Sequence, residues 1–83
     1  MPKWFLYKSN IKEFKIPNNV SSIGHNAFEG CTSLTIIEIP DSVTYIRHYA
    51  FSSCDSLTKV DYLGTIGQWV QIDFDGPAAN PLT

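Results

Sequence analysis

Apolar positions return along this 83-residue chain at a constant spacing of 23 residues. The pattern Ile-Pro-x-x-Val-x-x-Ile-x-His-x-Ala-Phe-x-x-Cys-x-Ser-Leu spans Ile16 to Leu34 and recurs from Ile39 to Leu57. Written in register, the chain gives the columns Ile11/Leu34/Leu57, Phe14/Ile37/Val60, Ile16/Ile39/Tyr62, Val20/Val43/Ile66 and Ile23/Ile46/Trp69. Ala27 aligns with Ala50, Cys31 with Cys54, and Phe28 with Phe51 and Phe74; Phe5 precedes Phe28 by the same interval, as Asn10 precedes Ser33. A fixed period in this range marks a solenoid, in which each repeat is one unit stacked on the last.

Inside one repeat the periodicity changes. Leu34-x-x-Ile37-x-Ile39 ends on the alternation of a short strand, with Ile37 and Ile39 on one face. Pro40 stops that strand for want of an N–H, and Asp41-Ser42 supplies turn chemistry. Val43-x-x-Ile46 then returns along the other side of the coil. Ala50, Phe51 and Cys54 fit one short helical or 3₁₀ turn with its apolar side inward. The expected fold is a right-handed repeat solenoid with a short parallel β-sheet and short helical or 3₁₀ turns. One domain is expected over residues 1–83: a partial N-terminal rung at 1–10, repeats at 11–33 and 34–56, and a degraded capping rung at 57–83. Trp69 and the Pro-rich exit from Gly76-Pro77 to Pro81 fit such a cap.

These residues resemble the BspA-like leucine-rich-repeat family. The stretch Ser22-Ile23-Gly24-His25-Asn26-Ala27-Phe28-Glu29-Gly30-Cys31-Thr32-Ser33-Leu34 carries the likeness most fully, over a matched region of about residues 11 to 75. In the second copy Arg47 replaces the usual Gly, so a less sharply turned corner is expected there. The tail Asp61-Tyr62-Leu63-Gly64-Thr65-Ile66-Gly67-Gln68-Trp69 is similar to the modified last rung that closes such arrays. The resemblance implies a leucine-rich-repeat solenoid of a secreted or cell-surface protein used in adhesion and protein binding. It also implies that this chain is a C-terminal fragment or a short array. The start, Met1 to Tyr7, has an apolar stretch too short for a signal-peptide core, so the sequence itself leaves the compartment open.

Charge and composition narrow the function. The six Lys/Arg are scattered and the net charge is −2, which gives no electrostatic case for nucleic acid. No apolar run approaches the roughly 18–20 residues of a membrane span. Two cysteines cannot hold together a disulfide-rich mini-domain, so stacking must supply the core.

Candidate chemistry is mostly absorbed by the repeat. His25, Cys31, His48 and Cys54 have the composition of a zinc set, but Cys should face inward and His outward, so the four are not expected to converge. Cys31 and Cys54 are expected as inert free thiols, because stacked parallel side chains have the wrong orientation for a disulfide. Asp73-Phe74-Asp75-Gly76 reads as a solvated turn rather than a calcium loop, since the ligand set is incomplete. The sequon Asn19-Val20-Ser21 reads as a plain turn. No nucleophile elbow, phosphate loop or acid pair is present, so neither an enzyme nor a cofactor is expected.

What remains is the exposed sheet face. Its columns are Lys12/Thr35/Thr58, Glu13/Ile36/Lys59 and Lys15/Glu38/Asp61, with Ile36 as an apolar anchor among charges. The leading expectation is a non-catalytic protein-interaction or adhesion module that recognises a protein partner through this face. The alternatives are a capping piece of a longer array with no ligand, and a cell-wall or glycan-targeting appendage of an enzyme elsewhere. The edge formed by Ile11, Phe14 and Ile16, covered by Trp4, Phe5 and Tyr7, is expected to mediate self-association.

Overall fold

The computed structural model describes residues 1–76 and 78–82; Pro77 of the Pro-rich exit and Thr83 lie outside the described residues. Strands β1 (Glu13–Lys15), β3 (Ile36–Ile39) and β5 (Lys59–Tyr62) form one parallel sheet in the order β1-β3-β5. Strands β2 (Ser22–Ile23), β4 (Tyr45–Ile46) and β6 (Asp73–Phe74) form a second, in the order β2-β4-β6. The only helix among the described residues is α1 (Ile66–Trp69), between β5 and β6. This is a repeat solenoid. Each rung contributes one strand to each sheet, because alternating Ile side chains favour a pleat and the proline between them ends it.

The 23-residue period is visible as strand register. Phe14 pairs with Ile37 and Ile37 with Val60, while Ile39 pairs with Tyr62. Leu34, Ile37, Ile39, Ile23 and Ile46 are fully buried between the two sheets. Phe28 and Phe51 stack with ring centroids 5.4 Å apart and planes 6° from parallel, and Phe14 tilts onto Phe28 at 5.6 Å. No rung could hide these groups alone; each is covered by its equivalents above and below.

The third side of the coil at Ala27–Cys31 and Ala50–Cys54 takes the 3₁₀ side of the expected helical or 3₁₀ turn, as isolated i→i−3 bonds rather than a continuous helix. It is a run of turns in which the amides alternate between two jobs. Asn26, Phe28 and Gly30 donate to the next rung at His48, Ala50 and Ser52, with N···O distances of 3.2, 2.8 and 2.8 Å. Ala27, Glu29 and Cys31 instead donate three residues back, to Gly24, Asn26 and Phe28. Left-handed backbone at Asn26 (φ 61°), Gly30 (φ 75°), Tyr49 (φ 59°) and Ser53 (φ 59°) breaks any helix and re-aims alternate amides across rungs.

Both ends depart from the simple period. At the N-terminus, Leu6 donates to Ala27 as Phe28 does to Ala50, a step of 22 residues rather than 23. Leu6, not Phe5, therefore occupies the Phe28 column, and Phe5 is left 43% exposed against Phe14. At the C-terminus, Tyr45 pairs with Asp73 and Ile46 with Phe74, a step of 28. Phe74 thus belongs to the Ile23/Ile46 column, not with Phe28 and Phe51, and Trp69 does not belong there. Ile66, expected beside Val43, is 85% exposed, while Ile72 and Ala79 enter the core in the last rung. Helix α1 takes up the five extra residues, held by a capping box between Thr65 and Gln68.

Gly24 has its own reason. A Cβ there would lie 2.5 Å from the Lys3 nitrogen and 2.6 Å from the Pro2 carbonyl carbon. The glycine lets the N-terminal segment cross β2 closely, and its replacement by Arg47 in the next rung marks the lack of such a crossing rather than a looser corner.

Three substitutions at two positions test this account. Ile37→Val should cost about 0.5–1.5 kcal/mol and Ile37→Ala about 2–5 kcal/mol. At roughly 4–8 °C per kcal/mol for a domain of this size, thermal melts followed by circular dichroism will separate the two. Ser53→Gly removes a left-handed penalty of about 1–2 kcal/mol at an exposed position and should raise Tm by several degrees. A lower Tm for Ser53→Gly would contradict the turn geometry.

Candidate functional site

The outer face of β1-β3-β5 carries the predicted site residues, and the structure divides them. Glu13, Lys15, Ile36, Glu38, Lys59 and Asp61, with the edge of Phe14, line a shallow depression of about 280 Å³. Ile36 lies between Glu13 and Lys59 in register, and Glu38 lies between Lys15 and Asp61. Lys15 opposite Glu38 is a favourable pair, whereas Glu38 opposite Asp61 is not. The described residues form no ion pair across this face within 4.0 Å; Glu13, Lys15 and Lys59 are exposed, and Glu38 and Asp61 partly so.

Lys12, Thr35 and Thr58 do something else. The Thr35 hydroxyl donates to the Lys12 carbonyl at 3.0 Å, and the Thr58 hydroxyl to the Thr35 carbonyl at 3.4 Å. These threonines bind one rung to the previous one at the entry to each strand. Their hydroxyls are engaged, which sets this column apart from the two beyond it.

The cysteines and histidines lie on opposite sides of the wall. Cys31 is buried and Cys54 half-buried; both are free thiols. Each donates to the carbonyl of a neighbouring rung, Cys31 to Leu6 and Cys54 to Phe28, at 3.1 Å in both cases. Burial pushes both thiols up, Cys54 to about 12 with a further contribution from Cys31. The histidines are half-exposed on the outside, His25 Nδ1 lying 2.9 Å from His48 Nε2. The Cys/His set is thus divided between inside and outside.

Asp75 was not legible as a partner of that pair. It belongs to a strand end, not a solvated turn: its amide donates to Ile46 as that of Arg47 donates to Ile23. The carboxylate lies 3.7 Å from Arg47 Nη1 and 3.9 Å from His48 Nδ1. The 28-residue step that places it there breaks the repeat from which its position would have been read.

At the N-terminal edge Trp4, Phe5 and Tyr7 are each 40% exposed or more, Trp4 meeting Tyr7 edge-on at 4.6 Å. At the opposite end Val60, Tyr62, Ile66, Trp69 and Leu82 line a hollow of about 360 Å³ beside β5.

With the stacked rungs and their two sheets in view, the comparisons with known proteins are decisive for the family. The family model described as BspA type leucine rich repeat region matches residues 2–74. The chain belongs to the BspA-type leucine-rich-repeat family. It is similar to the crystal structure of a leucine rich cell surface protein from Faecalibacterium prausnitzii A2-165, with 41% identity and a TM-score of 0.76. The match covers 80% of this chain and 17% of that one, so the chain spans about a sixth of the length of this relative. No curated protein matches the chain. Among the described residues no helix is long and apolar enough to cross a membrane.

The thiols give a pH-dependent prediction. A pKa raised on folding contributes stability that is complete below the unfolded value of 9.0 and is lost as pH rises toward about 12. The wild-type chain should therefore lose stability between pH 9 and 12, and Cys54→Ala should flatten that loss. Cys31, buried, and Cys54, with its raised pKa, should both resist iodoacetamide at pH 8 until denaturant is added; rapid modification of Cys31 in the native chain would refute its burial, and of Cys54 its raised pKa.

Proposed function

We propose that the chain is a non-catalytic interaction module of a surface-exposed or secreted leucine-rich-repeat protein, binding a protein partner through the outer face of β1-β3-β5. The observation that carries this reading is the arrangement around Ile36. A half-buried apolar side chain is flanked by Glu13 and Lys59 and bordered by Lys15, Glu38 and Asp61, on strands whose spacing is fixed by backbone pairing. An apolar centre within a polar rim is the usual anatomy of a protein interface. The depression, about 280 Å³, is smaller than a usual small-molecule pocket, which favours many distributed contacts over capture of a small molecule. The family membership and the cell-surface relative support the same reading.

The capping alternative has less support. A terminal cap presents a polar outer face. Here the end beyond β5 exposes Leu63 at 49%, Ile66 at 85% and Val70 at 67%. The exposed aromatics at the N-terminal edge support a further proposal, self-association by stacking of rung on rung.

The test pairs Ile36→Thr with Lys59→Glu, which keeps a β-branched residue in the strand while removing the anchor and reversing one charge. Proteins retained from a cell-surface extract by the immobilised chain are purified and their Kd measured for wild type and variant. The double variant should melt within a few degrees of wild type and bind at least about tenfold more weakly, a loss of roughly 1.4 kcal/mol. Asp41→Lys, in an exposed turn outside this sheet, serves as the control and should bind as wild type. Equal affinity for the double variant and wild type would remove the sheet face from the reading.

A further inference from the structure

Three successive rungs bring His25, His48 and Asp75 to one spot on the outside of the second sheet, near the ends of β2, β4 and β6. One ligand atom can be chosen from each residue such that all lie within 4.8 Å of one another. We propose that these three side chains form a surface site for a divalent transition-metal ion of the zinc type, which would tie the three rungs together.

The donor set decides the class of ion. Two imidazoles and one carboxylate match borderline ions such as Zn²⁺, Ni²⁺ or Cu²⁺; Ca²⁺ and Mg²⁺ take oxygen ligands. Distances are compatible with one small ion. Bonds of about 2.0–2.1 Å in tetrahedral arrangement put ligand atoms about 3.3 Å apart. One ligand atom from each residue lies within 4.8 Å of the others, so a modest inward shift brings the three to that spacing. His48 stands between its partners, with Nε2 2.9 Å from His25 Nδ1 and Nδ1 3.9 Å from Asp75 Oδ2, and only one of its two nitrogens can serve the ion. Both imidazoles are half-exposed, so rotation about the outer torsion of His48 turns either nitrogen toward a shared ion, and water completes the shell.

Two cations oppose the site. Arg47 reaches Asp75 at 3.7 Å, and Lys3 contributes repulsion at His25. The arginine pair is exposed and beyond hydrogen-bond length, a weak competitor that an ion with two nitrogen ligands can displace. Their presence favours an ion held mainly by imidazole.

Backbone placement makes the cluster more than an encounter of surface groups. Each residue follows a short strand whose register is fixed by pairing: His25 after Ile23, His48 after Ile46, Asp75 directly after Phe74. The ligands are therefore held on a rigid wall, the condition for a site that binds without large reordering.

The experiment uses the untagged chain and ZnCl₂ as probe. Titration at pH 7.5 followed by imidazole ¹H–¹⁵N NMR should shift both histidines at a stoichiometry of one ion per chain. At a free Zn²⁺ concentration about a hundred times Kd, Tm should rise by roughly 10 °C or more, and excess EDTA should reverse the rise. His25→Gln and His48→Gln should each weaken binding at least tenfold and Asp75→Asn measurably less. Because zinc also binds thiols of unfolded chains, the NMR shift decides where the melting curve does not. Absence of imidazole shifts at millimolar Zn²⁺, or shifts of equal affinity in the histidine variants, would overturn the proposal.

Discussion

Parallel pairing between equivalent backbone groups of successive rungs is the constraint on which every other feature of this solenoid depends. The coil is thin: no side chain of the Ile23/Ile46 or Phe28/Phe51 columns is covered within its own rung. Only when the rungs lie in register do the columns meet and close the core. The pairing is made on all three sides, by two sheets and by the alternating amides of the turns. Each such bond contributes about 0.5–1.5 kcal/mol net, so the ladder is less a store of energy than the device that sets where burial happens.

That division explains what could be read beforehand. The 23-residue repeat gave the strands at Glu13–Lys15, Ile36–Ile39 and Lys59–Tyr62 and the inward set of Leu34, Ile37 and Ile39, because side-chain direction alternates and the proline marks the strand's end. The i, i+1, i+4 spacing of Ala, Phe and Cys in the turns after β2 and β4 suits a short helix and a run of 3₁₀-type turns alike. What distinguishes them is left-handed backbone at Asn26, Tyr49 and Ser53, and only Asn among these residue types signals it in a sequence. The register of the outward columns is legible from alternation alone, but the Thr35 and Thr58 hydroxyls are not recognisable as rung-to-rung donors, since that depends on a carbonyl 23 residues away.

Inside and outside are kept chemically separate by the same wall. Thiols point inward, where each finds one carbonyl of a neighbouring rung; imidazoles and carboxylates point outward, where water and neighbouring charges serve them. Residues that share a column face the same environment, so a repeat that looks like a mixed Cys/His motif separates into an apolar stack and a polar stack. The sheet face repeats this logic. Its Thr column is committed to the ladder, and the two columns beyond it hold unpaired charges of both signs around Ile36.

The departures from 23 are where the fold acquires features that its repeat lacks. A solenoid tolerates extra residues if the chain leaves and re-enters the ladder between paired segments, as a loop insertion does in any sheet. The step of 22 before β1 lets Leu6 fill the Phe28 column, while the step of 28 before β6 bulges out as α1 and returns Ile46 opposite Phe74. Re-entry with a different residue in each column changes the surface. In the column of Gly24 and Arg47 the third rung presents Asp75, and in the column of His25 and His48 it presents Gly76. The glycine ends the histidine stack: its φ of +89° disfavours a side chain, and a Cβ on Gly76 would crowd His48 Cβ at 3.2 Å. The carboxylate therefore reaches a histidine pair that a strict repeat would have continued as a stack, and an irregularity in spacing becomes a change in chemistry.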